Sequence, residues 1–244
     1  MDGATVAPYT PPVTRPQPSS PRGRFITIEG PEGAGKTSQA ARLEATLEAR
    51  GVAVRTTREP GGTALGERIR EILLAPSQAP IDPLADALLF NAARRQLVEE
   101  VIEPTLAAGT TVICAQFADS TRAYQGYGEG LAVDELQRLE DIATGGLRPD
   151  VTLLLDIPVE LGLARKAPDD HTRFETGFDL AFHRRVRNGF LAMAVAEPQR
   201  FVVIDATEPE DAVADRVLRA VLPRLPEIDA VASEPNGRHM RINP

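Results

Sequence analysis

The sequence predicts an α/β fold in which helices cover both faces of a parallel sheet of about five strands. Three observations carry this. Short β-branched runs alternate with longer stretches of helical periodicity. The later runs are almost wholly apolar, as strands covered on both faces must be. A glycine-rich loop joins the first run to the first helical stretch, at the strand end where parallel sheets take their ligands.

The predicted strands are Phe25–Ile28, Val52–Thr56, Thr111–Cys114, Val151–Leu155 and Phe201–Ile204. Helical patterns fill the intervals over Thr37–Arg50, Thr63–Leu74, Pro83–Leu106, Ala132–Thr144 and Asp179–Ala196. In the first of these Ala40, Leu43 and Leu47 share one face, which directs that face to the sheet. Residues 1–23 are rich in Pro, Ser, Thr and Gly and cannot bury enough apolar surface to offset their ordering entropy. They are expected to form a disordered tail, as is the polar, proline-punctuated stretch 226–244. One domain is expected between them, over 24–225.

Of the 244 residues, 42% are hydrophobic and 25% charged, enough apolar material for a real core. A net charge of -8 argues against broad nucleic-acid contact, which requires a basic face. It leaves room for a small anionic ligand held by backbone amides and a few local cations. Cys114 is the only cysteine, so no internal disulfide is possible. No apolar run reaches membrane-spanning length, and the N-terminus has no signal-peptide core. These features predict a cytoplasmic protein without membrane partners. His171 and His183 lack metal-ligand spacing.

The strongest motif is Gly30-Pro31-Glu32-Gly33-Ala34-Gly35-Lys36-Thr37, followed by Ser38. Its glycines let backbone N–H groups wrap a phosphate, Lys36 reaches the β/γ-phosphates, and the Thr37 hydroxyl is offered to Mg²⁺ arriving with ATP. The loop follows a strand and opens a helix, the context this chemistry needs. It identifies a nucleotide site and leaves the acceptor open.

Three further segments follow later strands or lie in the third helix: Arg58-Glu59-Pro60-Gly61-Gly62-Thr63, Leu88-Leu89-Phe90-Asn91-Ala92-Ala93-Arg94, and Asp119-Ser120-Thr121-Arg122-Ala123-Tyr124-Gln125-Gly126. Each alone reads as a turn, a core helix or a surface aromatic. In this order, and with Ala143-Thr144-Gly145-Gly146-Leu147 and Pro149-Asp150 before the fourth strand, they resemble the thymidylate kinase family from about Arg24 to Leu225. The resemblance implies the P-loop nucleoside-monophosphate kinase fold with a helical lid, which Leu161–Arg165 and Arg173-Phe174-Glu175 are similar to. It implies phosphoryl transfer from MgATP to dTMP, and commonly a homodimer.

By that resemblance Phe90 stacks on thymine, and Arg94 one turn on bonds the base or the acceptor phosphate. Thr121 and Gln125 address the polar edge of the base, and Tyr124 occupies the place of a ribose 2′-hydroxyl. Glu59 organises the metal or the sugar. The phosphate loop has no arginine, so Lys36 is joined as a catalytic cation by Arg165 and Arg173 of the lid, acting on the transferring phosphoryl group.

At one place the chain departs from the family, which carries an Asp-Arg pair directly after the third strand. Here that pair is Ala115-Gln116, an inert methyl and a neutral amide. A phosphate acceptor is already largely ionised near neutral pH, so no general base is required. Weakened turnover is therefore expected. The alternative reading is a catalytically impaired pseudokinase that binds ATP and dTMP.

Overall fold

The computed structural model describes residues 22–75, 80–167 and 172–225. Five parallel strands form one sheet in the order β2-β3-β1-β4-β5: β1 Phe25–Glu29, β2 Val54–Arg58, β3 Thr111–Ala115, β4 Val151–Asp156 and β5 Phe201–Asp205. Alternate side chains of each strand face opposite layers. Ile26, Ile28, Ile113, Leu153 and Leu155 pack with α1 (Lys36–Glu48) and α10 (Glu210–Val221). Phe25, Val112 and Cys114 face the other layer, where they meet Leu97 of α3 (Pro83–Leu97) and Ile102. α9 (Leu180–Ala196) completes that layer through Phe182, Val186 and Phe190.

The remaining helices are α2 (Ala64–Leu74), α4 (Glu103–Ala107), α5 (Ala118–Thr121), α6 (Val133–Thr144), α7 (Val159–Arg165) and α8 (Arg173–Gly177). α5 runs into a π-helical turn over Arg122–Gly128. The loops after all five strands gather at one end of the sheet, where ligands of parallel sheets bind.

Several boundaries differ from the sequence expectation, each for a physical reason. The long helix expected over Pro83–Leu106 is α3, a π-helical turn over Val98–Ile102, and then α4. Pro104 has no N–H to donate and its ring crowds the carbonyl four residues back, so the helix widens just before it. β2 starts at Val54 rather than Val52, because pairing begins at Val54↔Thr111. Val52 is instead buried in the turn that leaves α1, its N–H on the Leu47 carbonyl. α10 was not expected, although Val213, Val217 and Val221 recur at four-residue spacing and are all buried. Arg22 and Gly23 do not belong with the tail. Arg22 pairs with Asp150 at 3.1 Å, and the Gly23 N–H bonds the Leu106 carbonyl at 2.9 Å. The rest of both expected tails, and His171, lie outside the described residues.

Candidate active site

The phosphate loop connects β1 to α1. Gly33 has φ +69°, and a Cβ there would collide with the Gly162 carbonyl at the start of the lid. Gly35 has φ +89° with open space around it, so its requirement is purely conformational. Lys36 folds back over the loop, its Nζ donating to the Gly30 and Pro31 carbonyls at 2.8 Å each. Desolvation lowers its pKa, while the charges of Glu32 and Glu29 oppose the shift. Thr37 and Ser38 open α1 with exposed side chains.

Beside the loop lies an open cleft lined by Gly33, Gly35, Ser38, Arg165 and Thr207. Arg165 is held there by the carbonyl of Ala206, with Nη1 at 2.8 Å. On the other side of the loop is a cavity of about 100 Å³, bounded by Glu32, Phe90, Gln116, Thr121, Tyr124 and Gln125 and roofed by Phe174 of the lid helix α8. Glu32 thus stands between the two spaces. It accepts the Tyr124 hydroxyl at 2.8 Å and pairs with Lys166 at 3.5 Å. Burial and the Glu32 charge push the Tyr124 phenol well up, so it remains a donor.

Lys166 also pairs closely with Glu175, which caps α8 through Thr172. Burial alone would raise the Glu175 carboxyl, but the bonds from Lys166 and Thr172 outweigh it and hold the group down at about 2. The lid is therefore pinned to the phosphate loop by Lys166, a cation that the sequence reading passed over in favour of its neighbours.

Phe90, Thr121, Tyr124 and Gln125 all line this second cavity. Arg94 and Glu59 stand behind it. Arg94 is 1% exposed and donates to Glu59 at 2.8 Å, Asn91 at 3.0 Å, the Phe117 carbonyl at 3.2 Å and Thr121 Oγ1 at 2.9 Å. It reaches the cavity through Thr121. Burial pushes the Glu59 carboxyl up to about 7 against the pull of Arg94, and its Oε1 has no partner.

Arg173 differs most from its expected place. Its guanidinium covers the Phe174 ring and is committed to the Leu73 carbonyl and to Asp86, on the acceptor side. Arg70 of α2 is a second lining cation, beside Lys166, that sequence reasoning missed, its Nη1 on the Pro60 carbonyl at 2.8 Å. A signal existed: Arg70 lies one turn from both Gly66 and Leu73, on the inward face of α2.

The phosphate loop is thus flanked by an open cleft on one side and an aromatic-walled cavity on the other. The Thymidylate kinase family profile matches residues 28–217. The chain belongs to the thymidylate kinase family. It is 55% identical over 207 residues to the thymidylate kinase of Deinococcus radiodurans, covering 83% of this chain and 98% of the relative. It is 52% identical over 202 residues to that of Synechococcus sp. strain JA-2-3B'a(2-13), covering 83% and 96%. The crystal structure of the thymidylate kinase from Ehrlichia chaffeensis superposes with a TM-score of 0.68 at 35% identity, covering 82% of this chain and all of that one.

Within this family fold, Ala115 ends β3 and Gln116 begins the following turn with φ +66°, a left-handed conformation uncommon for a residue with a side chain. The Gln116 side chain reaches the aromatic-walled cavity, its Nε2 3.3 Å from Ser120 Oγ. Ser120 in turn donates to Glu29 at 2.6 Å, and Glu29 also accepts the Phe117 N–H at 2.7 Å. Burial, reinforced by the charge of Asp119, pushes the Glu29 carboxyl up to about 7. Glu29 therefore braces the turn that presents Gln116.

Proposed function

We propose that this chain transfers the γ-phosphoryl group of MgATP to dTMP, giving dTDP and ADP. The observation that carries the reading is the acceptor cavity: Phe90 and Phe174 offer aromatic faces, Thr121 and Gln125 offer polar groups, and the cavity opens onto the phosphate loop at Glu32. A flat base with a polar edge fits this lining, with its phosphate toward Arg70, Gln116 and Lys36.

A phosphate oxygen of the acceptor attacks the γ-phosphorus, and the bond from that phosphorus to the β,γ-bridging oxygen breaks, leaving ADP. The residues contribute by positioning and charge. Lys36 exchanges its two carbonyl partners for phosphate oxygens. Arg165 steadies the nucleotide, and Lys166 is the lid cation paired with Glu32 of the loop. Tyr124, fixed by Glu32, fills space beside the sugar and disfavours a 2′-hydroxyl. Glu59 and Arg94 hold the cavity wall from behind. Mg²⁺ supplies charge neutralisation on the phosphates. The exposed Thr37 hydroxyl at the first turn of α1 fits a hard cation carried in by ATP.

We further propose a cytoplasmic homodimer that acts on small nucleotides without nucleic-acid or membrane partners. Exposed Leu65 and Ile72 of α2, Leu84 and Leu88 of α3, and Ile142 of α6 support a shared apolar face. Among the described residues no helix is long and apolar enough to cross a membrane. Sedimentation analysis tests the dimer.

The direct test of function is a coupled ADP-release assay with MgATP and dTMP, beside Lys36→Ala. Turnover that depends on dTMP and vanishes in the variant supports the reading. ADP release indifferent to dTMP overturns it.

A further inference from the structure

Gln125 is the polar side chain of the cavity whose orientation decides what it reads. Its carboxamide has a donor end and an acceptor end of nearly the same shape. The structure places an acid at one end. Gln125 Nε2 donates to Asp86 Oδ2 at 2.8 Å. An ionised carboxylate only accepts, so the nitrogen must face it. The Oε1 atom is then left for the cavity that Gln125 lines.

Asp86 is itself fully buried in α3, and Arg173 of the lid donates to its other oxygen. That cation favours the ionised form of Asp86, the form that accepts from both neighbours. Burial raises its carboxyl, and the Arg173 bond and charge counter the shift.

We infer that Asp86 is a positioning residue for acceptor choice: by holding the nitrogen of Gln125 away from the cavity, it makes Gln125 an acceptor that selects bases with an N–H at ring position 3. This rests on the proposed dTMP reading. Thymine and uracil carry that N–H. Cytosine presents a bare nitrogen there and meets Gln125 Oε1 acceptor to acceptor. Asp86→Asn alters the logic with almost no change of shape. Arg173 requires an oxygen from residue 86, so the amide nitrogen of the variant turns toward Gln125. Gln125 then reverses and presents Nε2 to the base.

The test is isothermal titration of dTMP, dUMP and dCMP into the full chain and into Asp86→Asn. The wild-type preference for dTMP over dCMP is expected to fall about tenfold or more in the variant, as expected when a buried polar match becomes a mismatch. The preference for dTMP over dUMP, which senses only the methyl group, is expected to stay unchanged. Both are ratios within one protein, so partial unfolding of the variant cancels. An unchanged dTMP/dCMP ratio overturns the inference. So does a parallel fall in both ratios, which would mark general damage to the cavity. A wild-type chain that binds no dTMP overturns the functional reading instead.

Discussion

Replacing Gln116 by Arg is expected to strengthen acceptor binding by an amount the structure allows to be worked out. The backbone at Gln116 is already left-handed, and Gln and Arg are both unbranched, so the substitution adds little strain. The side chain already enters the acceptor cavity, where Arg70 is a neighbouring cation. A neutral hydrogen bond contributes about 0.5–1.5 kcal/mol and one to a charged partner about 1.5–3, so the gain is about 1–1.5 kcal/mol. That corresponds to about a 5- to 13-fold lower KM for dTMP, shrinking as salt is raised. Steady-state ADP release with varied dTMP measures it. If neither KM nor kcat moves, the residue 116 side chain does not face the acceptor phosphate and the placement is refuted. Ala115→Asp alone is expected to destabilise the ligand-free protein. Ala115 pairs with Ile28 and Arg58, so the following residues, Glu29 and Glu59, bracket it with carboxyls already pushed up to about 7. A third buried carboxyl without metal is expected to cost about 1–3 kcal/mol, read by urea unfolding of the ligand-free protein.

Lys36→Ala should lower kcat at least about 100-fold while leaving the melting temperature within about 3 °C, since among the described residues Lys36 hydrogen-bonds only loop carbonyls. Arg94→Met strands the buried Glu59 and should cost about 3–5 kcal/mol, or about 6–20 °C in melting temperature by scanning calorimetry. The pH dependence of stability follows from Glu29. Its native value of about 7 lies above the ordinary 4.5, so the native state holds the proton longer than the unfolded chain. Its contribution is therefore fully present below 4.5 and lost as pH rises to 7. Between pH 5.5 and 7.5 the wild type should lose about 2 kcal/mol more than Glu29→Gln in urea unfolding. Equal slopes would show that the carboxyl is ionised throughout.

The parts legible in the sequence were those written in local pattern. The phosphate loop needs its glycines in order, and the apolar strands need no distant partner to be recognised. Phe90, Thr121, Tyr124 and Gln125 were singled out by the family resemblance alone, and all four line one cavity. What could not be read was partner choice. Arg165, Lys166 and Arg173 are three cations in one lid with no local feature to rank them. Only packing sends Arg165 to Ala206, Lys166 to Glu32 and Arg173 to Asp86. Arg94 is similar: on a helical wheel it shares Phe90's face, yet Glu59 arrives from β2, 35 residues earlier, and draws it inward. Pairings across such separations are properties of the folded chain.

The π-helical turn over Arg122–Gly128 carries Tyr124 and Gln125 on a coil wider than an α-helix. Such a coil accommodates one residue more than the straight path needs, so its length is part of the recognition surface. Deleting a single residue there would let the backbone relax into ordinary α geometry and rotate every side chain downstream. A designer seeking a new acceptor should keep this segment's residue count intact and change chemistry only at fixed positions. An insertion or deletion here would re-aim the reader itself.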